Sequence, residues 1–172
     1  GSVLESYRCL AAALLTALHR LDIPAESHPS AASTPNTPKG PVCFEVQSNY
    51  EITVEGKKLI GSAQARRKTG FLQHGTLPLT GDITRITQVL VFPSEASRQE
   101  AAFRLISRAT TVEQVLGKPI TWQDASLAVI ACFEEILNLR LTLQELSPQE
   151  LAWVQTLVDE KFAHPSWTDR AG

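Results

Sequence analysis

Polar and apolar positions change period along this chain, and the changes mark its elements. From Ser2 to Leu21, apolar residues recur at helical spacing: Val3, Leu4, Tyr7, Leu10, Ala11, Leu14, Leu15 and Leu18. Ser2 and Glu5 supply an S-x-x-E capping box at its start. Cys9 lies opposite that stripe with Ala12, Ala13 and Thr16, a face small enough to lie against another element. There a thiol behaves as a small hydrophobe. The period is lost between Pro24 and Pro41, where Pro, Ser, Thr, Asn and Ala dominate, so a long loop is expected. His28, within it, reads as exposed.

Alternation begins at Tyr50. Tyr50, Ile52 and Val54 alternate with Glu51, Thr53 and Glu55, a period of two that predicts a strand. Glu55-Gly56 suits a tight hairpin turn, because glycine tolerates positive φ. Lys58 to Arg66 is then the return strand, Lys68-Thr69-Gly70 a second turn, and Phe71 to Leu79 a third strand. Beyond it the period returns to helical. Asp82 caps a short helix over 83–91, and 94–107 reads as another. Thr111 to Leu116 is a helical turn closed by Gly117. Thr121 and Asp124 open the longest internal helix. Its apolar face is Trp122, Val129, Ile130, Phe133, Ile136 and Leu137, with Cys132 on the flank. Leu139, Leu141 and Leu143 alternate with polar residues and predict a short half-buried strand. Ser147-Pro148-Gln149-Glu150 is a second capping box, opening a helix to about Phe162. Trp167 is expected to pin the tail.

Composition narrows the classes of function. With 172 residues, one domain is expected. Net charge is −2, which argues against a dedicated nucleic-acid binder. Three cysteines without a C-x-x-C suggest a reducing compartment, and with no signal peptide visible the cytoplasm is the expected location. The longest apolar run, Leu10 to Leu18, is too short to span a membrane. No zinc spacing, P-loop or dinucleotide fingerprint is present, so no metal is expected. The chain contains no methionine.

Candidate chemistry concentrates between Val42 and Leu79. Cys43 follows the long loop. From spacing alone it reads either as a buried structural thiol or as a nucleophile, which would need a nearby cation to favour the thiolate. Lys57 and Lys58 follow the tight turn. Strand alternation puts them on opposite faces, so one can face water and the other a pocket. Gly61-Ser62-Ala63-Gln64 is small enough for a backbone to approach a ligand, but a glycine-containing strand also reads as a bulge. His74-Gly75 lies on the third strand, and Arg66-Arg67-Lys68 forms a basic cluster at the second turn.

The order Cys-Phe … Ser-x-Tyr-Glu-Ile-x-Val-x-Gly-Lys-Lys-Leu-x-Gly-Ser-Ala-Gln … Gln-His-Gly-x-Leu resembles the lipoate-protein ligase and octanoyltransferase superfamily. Cys43 stands fifteen residues before Lys58, which is similar to the cysteine-dependent octanoyl-[acyl-carrier-protein]:protein octanoyltransferases. The ATP-dependent ligases share the lysine and the Gly-Ser-Ala element and generally lack the cysteine. The resemblance covers essentially the whole chain. It implies an α+β fold: a mixed, largely antiparallel sheet packed with helices, like the biotin/lipoate protein ligase catalytic domain. Family members also carry an upstream Arg-Arg-x-Thr-Gly-Gly-Gly type motif in the acyl pocket. No two glycines are adjacent here, so residues 1–172 are expected to be one N-terminally truncated catalytic domain, or one piece of a split protein.

The resemblance further implies an acyltransferase that moves an octanoyl group from acyl carrier protein to a lipoyl-domain lysine. Cys43 would hold the group as a thioester. Lys58 would lower the thiol's pKa and then accept or relay the proton of the incoming amine. Gly61, Ser62, Ala63 and Gln64 would line the acyl pocket, with His74 and Gly75 completing and orienting it. No cofactor beyond the donor's phosphopantetheine arm is implied. Expected partners are acyl carrier protein and a lipoyl-domain or glycine cleavage H-type acceptor, without nucleic acid or membrane, plus any missing N-terminal segment or partner chain. The basic cluster would steer these acidic proteins. The alternatives are an ATP-dependent lipoate ligase, in which Lys58 contacts an acyl-adenylate, and a non-catalytic fragment or degenerate relative needing a partner chain.

Overall fold

The computed structural model describes residues 3–27 and 51–169. Ser2, His28, Cys43, Tyr50 and the expected long loop from 28 onward lie outside the described residues. The chain divides into two compact units, Gly1–Leu139 and Arg140–Gly172.

The first unit is built on α1 (Val3–Arg20) and an antiparallel sheet of β1 (Glu26–Ser27), β2 (Ile52–Val54), β3 (Lys57–Arg67) and β4 (Gly70–Thr76), in that spatial order. Its helices and largely antiparallel sheet are the α+β arrangement expected. The turn between β2 and β3 holds Glu55 at φ 50° and Gly56 at φ 75°, while Val54 pairs with Lys57. Positive φ at both central residues matches the right-handed twist of the flanking strands. The main core lies between α1 and the sheet. Leu18, Ile23, Ile52, Val54, Leu59, Ile60 and Val112 are buried together, with Leu14, Leu15, Leu21, Leu77 and Leu79 packed against them.

After β4 come a 3-10 turn (Ile83–Arg85), α2 (Ile86–Val89), α3 (Glu95–Arg108), α4 (Val112–Leu116) and α5 (Trp122–Leu137). Their boundaries follow local capping chemistry. Asp82, Ser94, Thr111 and Thr121 each accept a backbone N–H of the turn they open. Thr111–Gln114 and Thr121–Asp124 are reciprocal capping boxes, and Gly117 closes α4 at φ 69°. Helix α1 packs along α5, with an ion pair between Arg20 and Glu135. Ala13 and Ala17 on α1 and Cys132 on α5 have no exposed surface.

Several local expectations are corrected. Glu26–Ser27, in the stretch expected to be loop, pairs with Thr53 and Ile52. Two polar residues carry no period, so this strand exists only through its partner. The third strand ends at Thr76 rather than Leu79, and the carbonyls of Pro78 and Leu79 instead accept the N–H groups of Val112 and Glu113, at 3.0 and 2.9 Å. Cys9 is exposed rather than packed. On α5 the flanking Cys132 packs as expected, with Ala125 buried two turns earlier, but Trp122 of the expected apolar face is 74% exposed. No strand forms at Leu139, Leu141 and Leu143.

The second unit holds α6 (Pro148–Leu157), a π-helical turn (Val158–Phe162) and α7 (Pro165–Thr168). The Ser147–Glu150 capping box and the proline at the start of α6 are as expected. The Trp167 ring stands edge-on to Phe162 at 5.0 Å, and the Lys161 ammonium lies over both rings.

Candidate active site

The site is built around a break in the β2–β3 ladder. Thr53 pairs with Lys58, but Ile52 pairs with Ile60, so Leu59 is the extra residue of a β-bulge. A bulge interrupts alternation and re-aims side chains. Here Lys58, Leu59 and Ile60 are buried in succession, while Lys57 remains exposed. The two lysines therefore separate as expected, Lys57 to water and Lys58 inward.

Lys58 is fixed at both ends. Its carbonyl accepts the Thr110 N–H at 3.0 Å, in a parallel bridge to Ala109. Its Nζ donates to the Glu51 carboxylate in an ion pair whose side chains are only 7% and 6% exposed. Burying two charges is costly, and their attraction offsets that cost only when the geometry is held. Glu51 was expected on the polar edge of an alternating strand, yet it is buried. A signal was available: a two-residue turn sets Thr53 opposite Lys58, and Glu51, two residues from Thr53, is then the diagonal neighbour on the same face. Long side chains reach across that diagonal.

The remaining sequence-predicted residues lie farther along the same hairpin. Ser62 pairs with Gly75, Ala63 with His74, and Gln64 with Gln73. A side chain built on Gly75 would meet the Gly61 carbonyl oxygen at 3.3 Å and Ser62 Oγ at 3.4 Å. A Cβ at Gly75 would thus be tightly packed, so the position favours glycine for space rather than for φ. Gln64 donates to Gln73 Oε1 at 3.1 Å and accepts from Arg66 Nε at 2.8 Å. Arg66 also reaches Ser6 on α1 and lies over the Phe71 ring. Gly61 and Ser62 are half-buried, while Ala63 and His74 are exposed. The structure thus places Gly61, Ser62, Ala63, Gln64, His74 and Gly75 on one two-stranded ribbon that leads away from Lys58. Cys43 lies outside the described residues.

No cluster of His, Cys, Asp and Glu suited to a metal occurs among the described residues. Nor is any described helix long and apolar enough to cross a membrane. An open apolar groove of about 360 Å³ runs between Leu77, Leu79 and the α5 residues Trp122, Ala125, Val129 and Ile130. Lys58 does not line it.

An antiparallel sheet backed by helices, with a buried, ion-paired lysine on its central hairpin, places the chain in the α+β class. The chain belongs to the family of the lipoyl protein ligase A/B catalytic domain, whose model matches residues 1–134. Among curated relatives it is 35% identical over 174 residues to octanoyltransferase LipM of Brevibacillus brevis, covering 99% of this chain and 63% of the relative. It is 33% identical to octanoyltransferase LipM of Bacillus subtilis, covering 97% of this chain and 62% of the relative. The chain thus spans about three fifths of the length of the curated relatives it matches. Among solved structures, a bipartite lipoate protein ligase of Thermoplasma acidophilum superposes with a TM-score of 0.75 at 20% identity, covering 97% of this chain and 58% of that one. Lipoate-protein ligase A bound with ATP superposes at 0.70 and 20% identity, covering 96% and 59%. At that identity the likeness establishes the fold.

Proposed function

We propose that this chain carries the acyl-transfer site of an octanoyltransferase serving protein lipoylation. The observation that carries the reading is the state of Lys58. A hairpin lysine with no task is solvated, whereas this one is buried and ion-paired at the head of the Gly61–Gln64 strand. The similarity to octanoyltransferases over nearly the whole chain supports the same reading.

In the first step the Cys43 sulfur attacks the octanoyl thioester on the phosphopantetheine arm of acyl carrier protein. The donor's C–S bond breaks, and the proton lost by Cys43 passes to the departing pantetheine thiol. In the second step a lysine amine of a lipoyl domain, or of a glycine cleavage H-type protein, attacks the Cys43 thioester. An amide forms, and the amine's proton returns to the Cys43 sulfur. A fixed ammonium at Lys58 stabilises the negative charge that develops on the acyl oxygen in both steps. Gly61, Ser62, Ala63 and Gln64, with His74 and Gly75, form the acyl-binding wall. As part of one catalytic domain the chain works in the cytoplasm, where Cys43 stays reduced, and draws its acyl group from the carrier rather than from ATP.

The test is intact mass after mixing the full-length protein with octanoyl-acyl carrier protein. A hydroxylamine-labile octanoyl adduct, lost in Cys43→Ala, is expected. An adduct that survives Cys43→Ala would remove that residue from the mechanism. Acylation that requires free acid and ATP would assign the chain to the ligases instead.

A further inference from the structure

The partner of Lys58 is a buried carboxylate. A pair of buried charges rarely stabilises a fold more than apolar residues of the same volume would. Its presence next to the buried apolar residues Ile52, Leu59 and Ile60 therefore points to a use for the ammonium in a fixed place. The contacts of Lys58 among the described residues restrict it. Thr53 and the Ala109–Thr110 segment hold its backbone, the bulge at Leu59 sets its direction, and Glu51 holds the far end of four rotatable bonds.

We propose that Glu51 is the positioning residue of the transfer reaction. It fixes where Lys58 Nζ stands and so where the ammonium meets the acyl carbonyl, without itself touching the acyl group. The proposal rests on the acyl-transfer reading. It assigns Lys58 an electrostatic and orienting role in place of the proton-relay role expected from the sequence. A carboxylate clamped on the amine suits a stationary donor better than a base that must shed and regain a proton on every turnover.

The experiment follows single-turnover formation of the octanoyl adduct on the full-length protein, with octanoyl-acyl carrier protein as donor and melting temperature recorded for every variant. Glu51→Gln keeps shape and a hydrogen-bond acceptor but removes the charge. It is expected to slow adduct formation by roughly 10- to 100-fold while the donor KM stays within about twofold. Glu51→Asp, with the charge kept and the reach shortened, should fall between Gln and wild type. In a Lys58→Met background, Glu51→Gln should cost no further rate, because Glu51 acts only through Lys58. That equality distinguishes positioning from general support of the fold.

A Glu51→Gln rate equal to wild type would overturn the proposal, as would a further tenfold loss in the Lys58→Met background. If Glu51→Gln fails to fold, Glu51→Asp carries the comparison, and a wild-type rate there would likewise overturn it. Absence of any adduct on the wild-type protein would overturn the acyl-transfer reading itself and this role with it. An adduct on wild type that is insensitive to Glu51 would overturn the role of Glu51 alone.

Discussion

At its inner end β3 carries Lys58, Leu59 and Ile60, all buried; at its outer end it carries Ala63, Ala65, Arg66 and Arg67, all exposed. Both ends obey the same pairing rules, each antiparallel to a neighbour across a tight turn. They differ in what lies around them. The inner end is packed into the core with α1 and hydrogen-bonded to Thr110, and its ladder is broken by a bulge. The outer end has β4 as its sheet partner, with Phe71 and Leu72 more than half exposed. The same lysine chemistry therefore has two meanings along one hairpin. Lys57 and Lys68 are solvated, while Lys58 sits where a charge is strongly felt because water does not screen it.

This contrast can be broken, and the largest effect lies at the inner end. Lys58→Met leaves the Glu51 carboxylate buried without its ammonium. It should destabilise the fold by about 3–5 kcal/mol and slow octanoyl transfer at least as much as Glu51→Gln does, leaving a residual single-turnover rate. Urea unfolding of Lys58→Met beside Lys58→Met/Glu51→Gln checks this: the double variant should regain most of the stability and none of the transfer. Equal stability of the two would show that the Glu51 carboxylate carries no burial penalty once the ammonium is gone.

A smaller effect separates two glycines of β4. Gly75→Ala places a methyl 3.3 Å from the Gly61 carbonyl oxygen, whereas Gly70→Ala meets nothing within 4 Å. Overpacking should cost Gly75→Ala about 1–3 kcal/mol in thermal unfolding, while Gly70→Ala stays within about 0.5 kcal/mol of wild type. Two equal values would mean that the strands at Ser62 and Gly75 relax freely.

The smallest effect lies beyond β4, in the cap after Gly81. Hydrogen bonds from the Thr84 hydroxyl, and then from its backbone N–H, hold the Asp82 carboxyl below its usual value of 3.8. Because the folded-state value is depressed, the cap contributes stability above 3.8, and the contribution is lost as pH falls through the lower folded value. The Thr84 amide signal should titrate only below that pH, and Asp82→Asn should remove the titration. A transition near neutrality would contradict the cap.

The legible features were the ones settled within a few residues. The caps at Asp82, Thr121 and Ser147, the Glu55–Gly56 turn and the β3–β4 hairpin each depend on neighbours in the chain. The opposite fates of Lys57 and Lys58 were legible for the same reason. Trp122 and Leu143 were misread because periodicity names a face without saying whether anything covers it; both stand open to solvent. Glu51 was misread because its charge matched the polar half of an alternating strand, although the turn register already placed it on Lys58's face.

A family resemblance, rather than period, marked the lysine beside the Gly-Ser-Ala strand as the place to look; the sequence by itself determined where helices and turns begin and which strands form the hairpin. Those depend on backbone φ, capping hydrogen bonds and period, all short-range. Only the tertiary structure decided that the Glu51–Lys58 pair is buried, that Leu59 bulges, and that Glu26–Ser27 is a strand at all. Burial and long-range pairing depend on what distant segments bring to the same place, and no window of the chain contains that information.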